Sequence, residues 1–232
     1  MNWKTEFRSI YYDGAPEPED PVFEPEETVF LVIDVQNVYL DRPDRNVLSG
    51  ENKRRYDAWT PFHERMHQIV IPRTAELLRL CRANGIECLF ARIATQTKDG
   101  RERSISQKKP GWNNLLLPKN ERVSQLVKEL WPLEDEIVVT KTTDSALTGT
   151  NLRLILNNLG KKNVICAGIF TDQCVSSTVR SLADESFNVI VVEDCCAAGS
   201  DELHRKELEI INMIYCHVMS SGELCKIMAL AN

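Results

Sequence analysis

The 232-residue chain carries 28 Lys and Arg against 34 Asp and Glu, a formal net charge of −6, with 43% hydrophobic and 27% charged residues. Such a length suits one sizeable domain with a full core, and an acidic balance whose basic residues form no run longer than Lys53-Arg54-Arg55 argues against a nucleic-acid footprint. No window approaches the roughly 20 apolar residues of a membrane span, and the opening Met1-Asn-Trp-Lys-Thr-Glu-Phe-Arg8 has no apolar signal core, so a cytoplasmic protein without a membrane partner is expected.

Residues 13–27 are acidic and proline-containing, so residues 1–27 are expected to form an extended arm ahead of one domain over 28–232. Val29 to Val35 is a continuous apolar run typical of a buried parallel strand. Residues 40–70 read as polar and irregular, with a short helix around Phe62 to Val70. Pro72 suits the first turn of a helix that runs to the stop at Asn84-Gly85. Ile86 to Ala94 is a predicted strand, 95–118 a long polar loop, 119–130 a helix and Glu136 to Thr140 a strand. A helix capped by Thr150 runs to Leu159, followed by a strand over Val164 to Ile169 and a helix over Cys174 to Glu185. Asn188 to Glu193 (strand), Asp201 to Met213 (helix), Cys216 to Val218 (strand) and a helix from Ser221 complete the chain. This alternation predicts a three-layer α/β/α fold around a mostly parallel, doubly wound six-stranded sheet.

Eight cysteines sit mainly in apolar runs without CxxC spacing, which reads as reduced, buried cysteine rather than a disulfide framework. Cys174 differs. It follows an apolar strand and opens a helix, where unpaired N–H groups and the helix dipole favour a thiolate and where nucleophiles are often presented. Ligands in such sheets sit at carboxyl ends of strands. Asp34 ends the first strand and Lys141 follows Ile137 to Thr140, so both meet that criterion, and buried charges there are costly unless paired. A carboxylate to take the thiol proton and an ammonium to attract the anion give the three residues a chemical reason to converge.

These residues lie in four ordered motifs. They are Asp34-Val-Gln36-Asn37-Val-Tyr39; Lys141 with Ser145-Ala-Leu-Thr-Gly-Thr-Asn-Leu152; Gly168-Ile-Phe-Thr-Asp-Gln-Cys174-Val175 with Thr178 and Ala183; and Glu193-Asp-Cys-Cys-Ala197. From residue 28 onward the chain resembles the isochorismatase-like cysteine hydrolase superfamily. The resemblance implies a catalytic triad of Asp34, Lys141 and Cys174, a cis peptide at Ile169–Phe170, and an oxyanion hole from the N–H groups of Phe170 and Cys174. It also implies hydrolysis of a small amide, ureido or carbamoyl compound through a thioester, without a cofactor, in a homodimer or homotetramer. Leu147 stands where the family usually has phenylalanine, and Val38 where an acidic residue is common, so both bear on the substrate. Gln36, Asn37, Tyr39, Arg92, Trp112 and Thr171 are expected to line the pocket, with Arg92 either holding a substrate carboxylate or pairing with Asp or Glu.

Four other readings compete. His63-Glu64-Arg65-Met66-His67 spells H-E-x-x-H, but Arg65 and Gln68 occupy normally apolar positions and His204 and His217 are distant in sequence, so no metal site is expected. A vinyl-ether hydrolase of the isochorismatase type typically lacks the nucleophile. A nicotinamidase carries an Asp-x-His cluster after the second strand, where this chain reads Ala91-Arg-Ile-Ala-Thr-Gln-Thr-Lys-Asp-Gly100. A binding protein on the same fold would lack a triad member, and none is missing.

Overall fold

The computed structural model describes residues 2–111 and 114–229. Six strands, β1 (Thr28–Ile33), β2 (Glu87–Ile93), β3 (Ile137–Lys141), β4 (Asn163–Ile169), β5 (Asn188–Ala197) and β6 (His217–Met219), form one sheet. Their order is β3-β2-β1-β4-β5-β6 and every pairing is parallel. Winding reverses between β1 and β4, so the crevice where such sheets bind ligands opens above those two carboxyl ends.

β1 and β4 are buried along their whole length, which explains their unbroken apolar sequences. Helices cover both faces. Phe62, Met66, Val70, Leu77, Leu78 and Leu224 pack on one side with Phe30, Val32, Phe90 and Ile165. On the other, Leu152, Leu156, Val179, Leu182, Leu208 and Ile211 pack with Val29, Leu31, Val164 and Val191. The residues before β1 are tied to this core as well. Trp3 and Phe7 are buried, Trp3 N–H donates to Glu223 Oε1 (2.8 Å), and Phe7 C=O accepts from Asn212 Nδ2 (2.9 Å).

Several boundaries differ from the sequence reading. Residues 40–70 are largely helical, with Gly50–Ala58, Thr60–Arg65 and a π-helical turn over Met66–Val70 that leads into Ile71–Ala83. Gly50–Ala58 buries none of its residues, so it leaves no apolar periodicity to read. Conversely, 119–130 holds only two short 3₁₀ turns, Arg122–Ser124 and Lys128–Leu130. Its backbone is engaged by the end of β1 instead: Asn37 N–H donates to Gln125 C=O, and Val127 N–H donates to Val35 C=O, each at 3.0 Å. β5 runs four residues beyond Glu193 and takes in the Cys195-Cys196 pair.

Gly168 sets how closely β1 and β4 approach at the crevice. Its φ is +121°, and a Cβ there would lie 2.0 Å from the Ile33 carbonyl oxygen. Only glycine fits that contact without displacing backbone.

Candidate active site

β1 delivers Asp34 to the crevice in a left-handed conformation, φ +55°, which aspartate tolerates better than most residues. Its N–H is held by Ala91 C=O (2.9 Å) and its own C=O accepts from Gln36 N–H (2.8 Å). After β4 the Ile169–Phe170 peptide is cis, and the chain turns through a π-helical turn, Thr171–Val175, into the Ser176–Asp184 helix. Cys174 lies in that turn. π-turns of this kind recur at functional sites. Thr178 then clamps it, donating to Cys174 C=O (2.7 Å) while accepting from Ala146 N–H (2.9 Å).

Lys141, the last residue of β3, is fully buried and reaches across β2, which lies between β3 and β1. Its Nζ stands 2.6 Å from Asp34 Oδ2 and donates to Cys174 Sγ (3.3 Å) and to Thr143 C=O (3.1 Å). Thus Asp34, Lys141 and Cys174 do converge, although the ends of β1 and β3 are not neighbours. A four-carbon stem spans the gap.

The electrostatics oppose the helix position. The Cys174 thiol is held well above its ordinary range, first by burial and then by the Asp34 charge, which together outweigh the attraction of Lys141. Burial thus works against the thiolate that a helix start favours. Burial also raises Asp34 above the usual carboxylate range despite the ammonium beside it. Lys141 is raised as well: burial lowers it, but the Asp34 charge and the hydrogen bonds to Asp34 and Cys174 more than offset that. Burial therefore makes both the Asp34 carboxyl and the Cys174 sulfur hold a proton more tightly than usual, with the Lys141 ammonium opposing it at each.

The expected pocket residues divide. Tyr39 stands near the three residues: burial first, and then the Asp34 charge, hold its hydroxyl well above the ordinary phenol range. Its ring meets Phe170 edge-on at 5.3 Å, and Trp59 (5.9 Å) and Phe62 (5.2 Å) complete an aromatic wall around Phe170. Gln36 does not belong. It is fully buried and its amide is consumed by Ile93 C=O, Ser124 C=O and Ile93 N–H. Asn37 likewise spends its amide on the carbonyls of Arg122, Gln125 and Leu126. Thr171 is buried against His204, with Oγ1 2.8 Å from Nδ1.

Arg92 is a further correction. Arg92 pairs with Thr140 in register, and Ile93 with Lys141. Strand alternation therefore sends the Arg92 and Lys141 side chains to opposite faces. Arg92 bonds Gln125 Oε1, Thr140 Oγ1 and Ser124 C=O, with no carboxylate among these partners. Trp112 lies outside the described residues.

Two residues beside the sulfur were not legible in the sequence. Asp144 Oδ1 is 3.8 Å from Cys174 Sγ, and buried Gln107 donates to that same oxygen at 2.8 Å. The only signal for either was position, three residues past Lys141 and within the long loop over 95–118. As to the H-E-x-x-H segment, the π-turn begins at Met66 and separates its histidines: His63 is buried and held down to about 4, whereas His67 is exposed. Among the described residues no three His, Cys, Asp or Glu side chains are grouped to hold a metal ion. Asp194 caps the last helix, accepting from the Ser221 N–H (2.7 Å) and Oγ (2.6 Å). A cavity of about 540 Å³ lies at the other end of the sheet, lined by the first residues of β4, β5 and β6 (Asn163, Asn188, His217) and by Pro18–Val22, away from these groups.

The fold places the chain among isochorismatase-like α/β proteins. It superposes on a cysteine hydrolase from Pseudomonas syringae pv. phaseolicola 1448A with a TM-score of 0.74 at 18% identity, covering 92% of this chain and 98% of that one. The N-carbamoylsarcosine amidase of Thermoplasma acidophilum gives 0.62 at 19% identity, covering 84% and 96%. The isochorismatase domain matches residues 28–223, and the chain belongs to that family. In sequence it is 27% identical over 225 residues to the ureidoacrylate amidohydrolase RutB of Pantoea ananatis (strain LMG 20103), across 91% of this chain and 86% of the relative.

Proposed function

We propose that the protein is a cysteine-dependent amidohydrolase that cleaves the terminal C–N bond of a small ureido, carbamoyl or acyl amide and releases ammonia. The observation that carries this reading is the buried contact chain Asp34–Lys141–Cys174, with links of 2.6 and 3.3 Å. The names of its relatives, an ureidoacrylate amidohydrolase and an N-carbamoylsarcosine amidase, point to the same bond.

The cycle starts from the neutral thiol. Asp34 takes the Cys174 proton as Sγ attacks the carbonyl carbon, and Lys141 stays charged to hold the sulfur and the aspartate in register. Negative charge moves to the carbonyl oxygen, which the N–H groups of Phe170 and Cys174 receive; a donor of this kind is typically worth about 3 kcal/mol. Protonated Asp34 gives its proton to the departing nitrogen, so ammonia leaves and a thioester remains. Asp34, again a carboxylate, deprotonates water, which attacks the thioester carbon. The sulfur departs and recovers a proton from Asp34. The aromatic wall of Tyr39, Trp59, Phe62 and Phe170 excludes bulk water from these transfers.

Ammonia release measured across biuret, ureidoacrylate, N-carbamoylsarcosine, maleamate and nicotinamide tests the reading. Turnover is expected on the ureido or carbamoyl members and little on nicotinamide. Release from none of the five would defeat it.

A further inference from the structure

Two carboxylates face the Cys174 sulfur but only one ammonium does. Asp34 is paired with Lys141. Asp144 has no ion-pair partner among the described residues; its Oδ1 accepts from Cys174 Sγ at 3.8 Å and is held by a bond from Gln107 Nε2. That bond is built into the fold. Gln107 is almost fully buried, and its segment is tied down where Ser104 N–H donates to Thr142 C=O (3.2 Å) and Arg103 donates to Gln107 C=O (2.7 Å). Next to Asp144, Ser145 is fixed by Ser181 (2.9 Å) and Ala146 by Thr178. The carboxylate is therefore aimed at the nucleophile from a braced loop, and Gln107 and Cys174 both bond Oδ1, which leaves acceptor capacity on Oδ2.

We infer that Asp144 is a specificity-determining residue that accepts a hydrogen bond from an N–H on the retained side of the substrate carbonyl, selecting ureido compounds over carboxamides. The inference rests on the amidohydrolase reading above. A carbon bonded to Sγ has three other substituents. Its oxygen gains negative charge and is repelled by a carboxylate, so it turns to the backbone N–H groups. The leaving nitrogen must reach Asp34 for its proton. The remaining substituent is left to Asp144. A retained N–H fills that acceptor, a CH₂ leaves it unsatisfied, and a carboxylate directly on the carbonyl carbon is repelled. Because Gln107 belongs to the 95–118 segment, that segment orients the acceptor.

The test uses 3-ureidopropionate and glutaramate, which differ only by N–H against CH₂ beside the scissile carbonyl. Wild-type protein should favour the ureide in kcat/KM by about tenfold or more. Asp144→Ala should bring the two substrates within about threefold of each other by raising KM for the ureide alone, and Asp144→Asn, which keeps an acceptor oxygen, should retain part of the preference. Titration calorimetry on Cys174→Ser, with and without Asp144→Ala, reads the same preference as affinity and needs no turnover. If neither compound yields ammonia, the amidohydrolase reading suffers while calorimetry still judges Asp144. An Asp144-dependent preference for the ureide in binding supports the inference. Equal treatment of the pair by wild type, or an equal loss for both compounds in Asp144→Ala, overturns it.

Discussion

Arg92 and Lys141 lie at the ends of neighbouring strands, Arg92 one residue before the last of β2 and Lys141 the last of β3, and have opposite fates. Lys141 is sealed on the face that carries Cys174 and pairs with a buried carboxylate. Arg92 goes through the sheet to the other face and braces a loop through Gln125, Thr140 and Ser124. Two cations at strand ends look equivalent in the sequence. The period of two along a strand decides which one faces the sulfur.

Breaking the pair at Lys141 should have the largest effect. Lys141→Met leaves Asp34 buried without its counter-charge, and losing one partner of a buried pair typically costs about 3–5 kcal/mol. Urea unfolding should register that loss, and ammonia release should fall at least about a thousandfold, a drop of roughly 4 kcal/mol in transition-state stabilisation. A stable, active Lys141→Met protein would remove the lysine from the mechanism.

A second effect is a shift in pH dependence. Activity needs Asp34 unprotonated to take the thiol proton, and burial raises its pKa. Below that pKa the base is lost, so the acid limb of kcat/KM should lie above the ordinary carboxylate value of about 3.9. Lys141 is raised above its usual value, so it should impose no alkaline fall below about pH 10. An acid limb at or below the free-carboxylate value would mean that Asp34 is not the base.

Arg92→Met should have the smallest effect. It removes the Gln125 bond, a loss of about 1–2 kcal/mol of stability, and should leave kcat within a few-fold and the acid limb unmoved. A selective rise in KM for anionic substrates would return Arg92 to the pocket.

The same contrast explains what was legible in the sequence. The β1 run to Asp34, the strand–turn–helix around Cys174 and the lysine after Ile137–Thr140 carry strong local signals, because burial demands continuous apolar residues and chemistry demands residues of particular types. Arg92, Gln36 and Thr171 lie just as close to strand ends, but their roles follow from face and hydrogen-bond partners that sequence spacing does not encode. Asp144 and Gln107 meet across a separation of 37 residues through loop docking alone. The upward push on the Cys174 thiol was also hidden, since it depends on how deeply a helix start is buried and not on the helix start itself.

The most direct test of the central claim follows the sulfur. Acid-quenched turnover of the best ureido substrate, analysed by peptide mass spectrometry, should show an acyl adduct on Cys174 and on none of the other seven cysteines, with both adduct and ammonia absent in Cys174→Ala. Sustained ammonia release from Cys174→Ala would contradict the account.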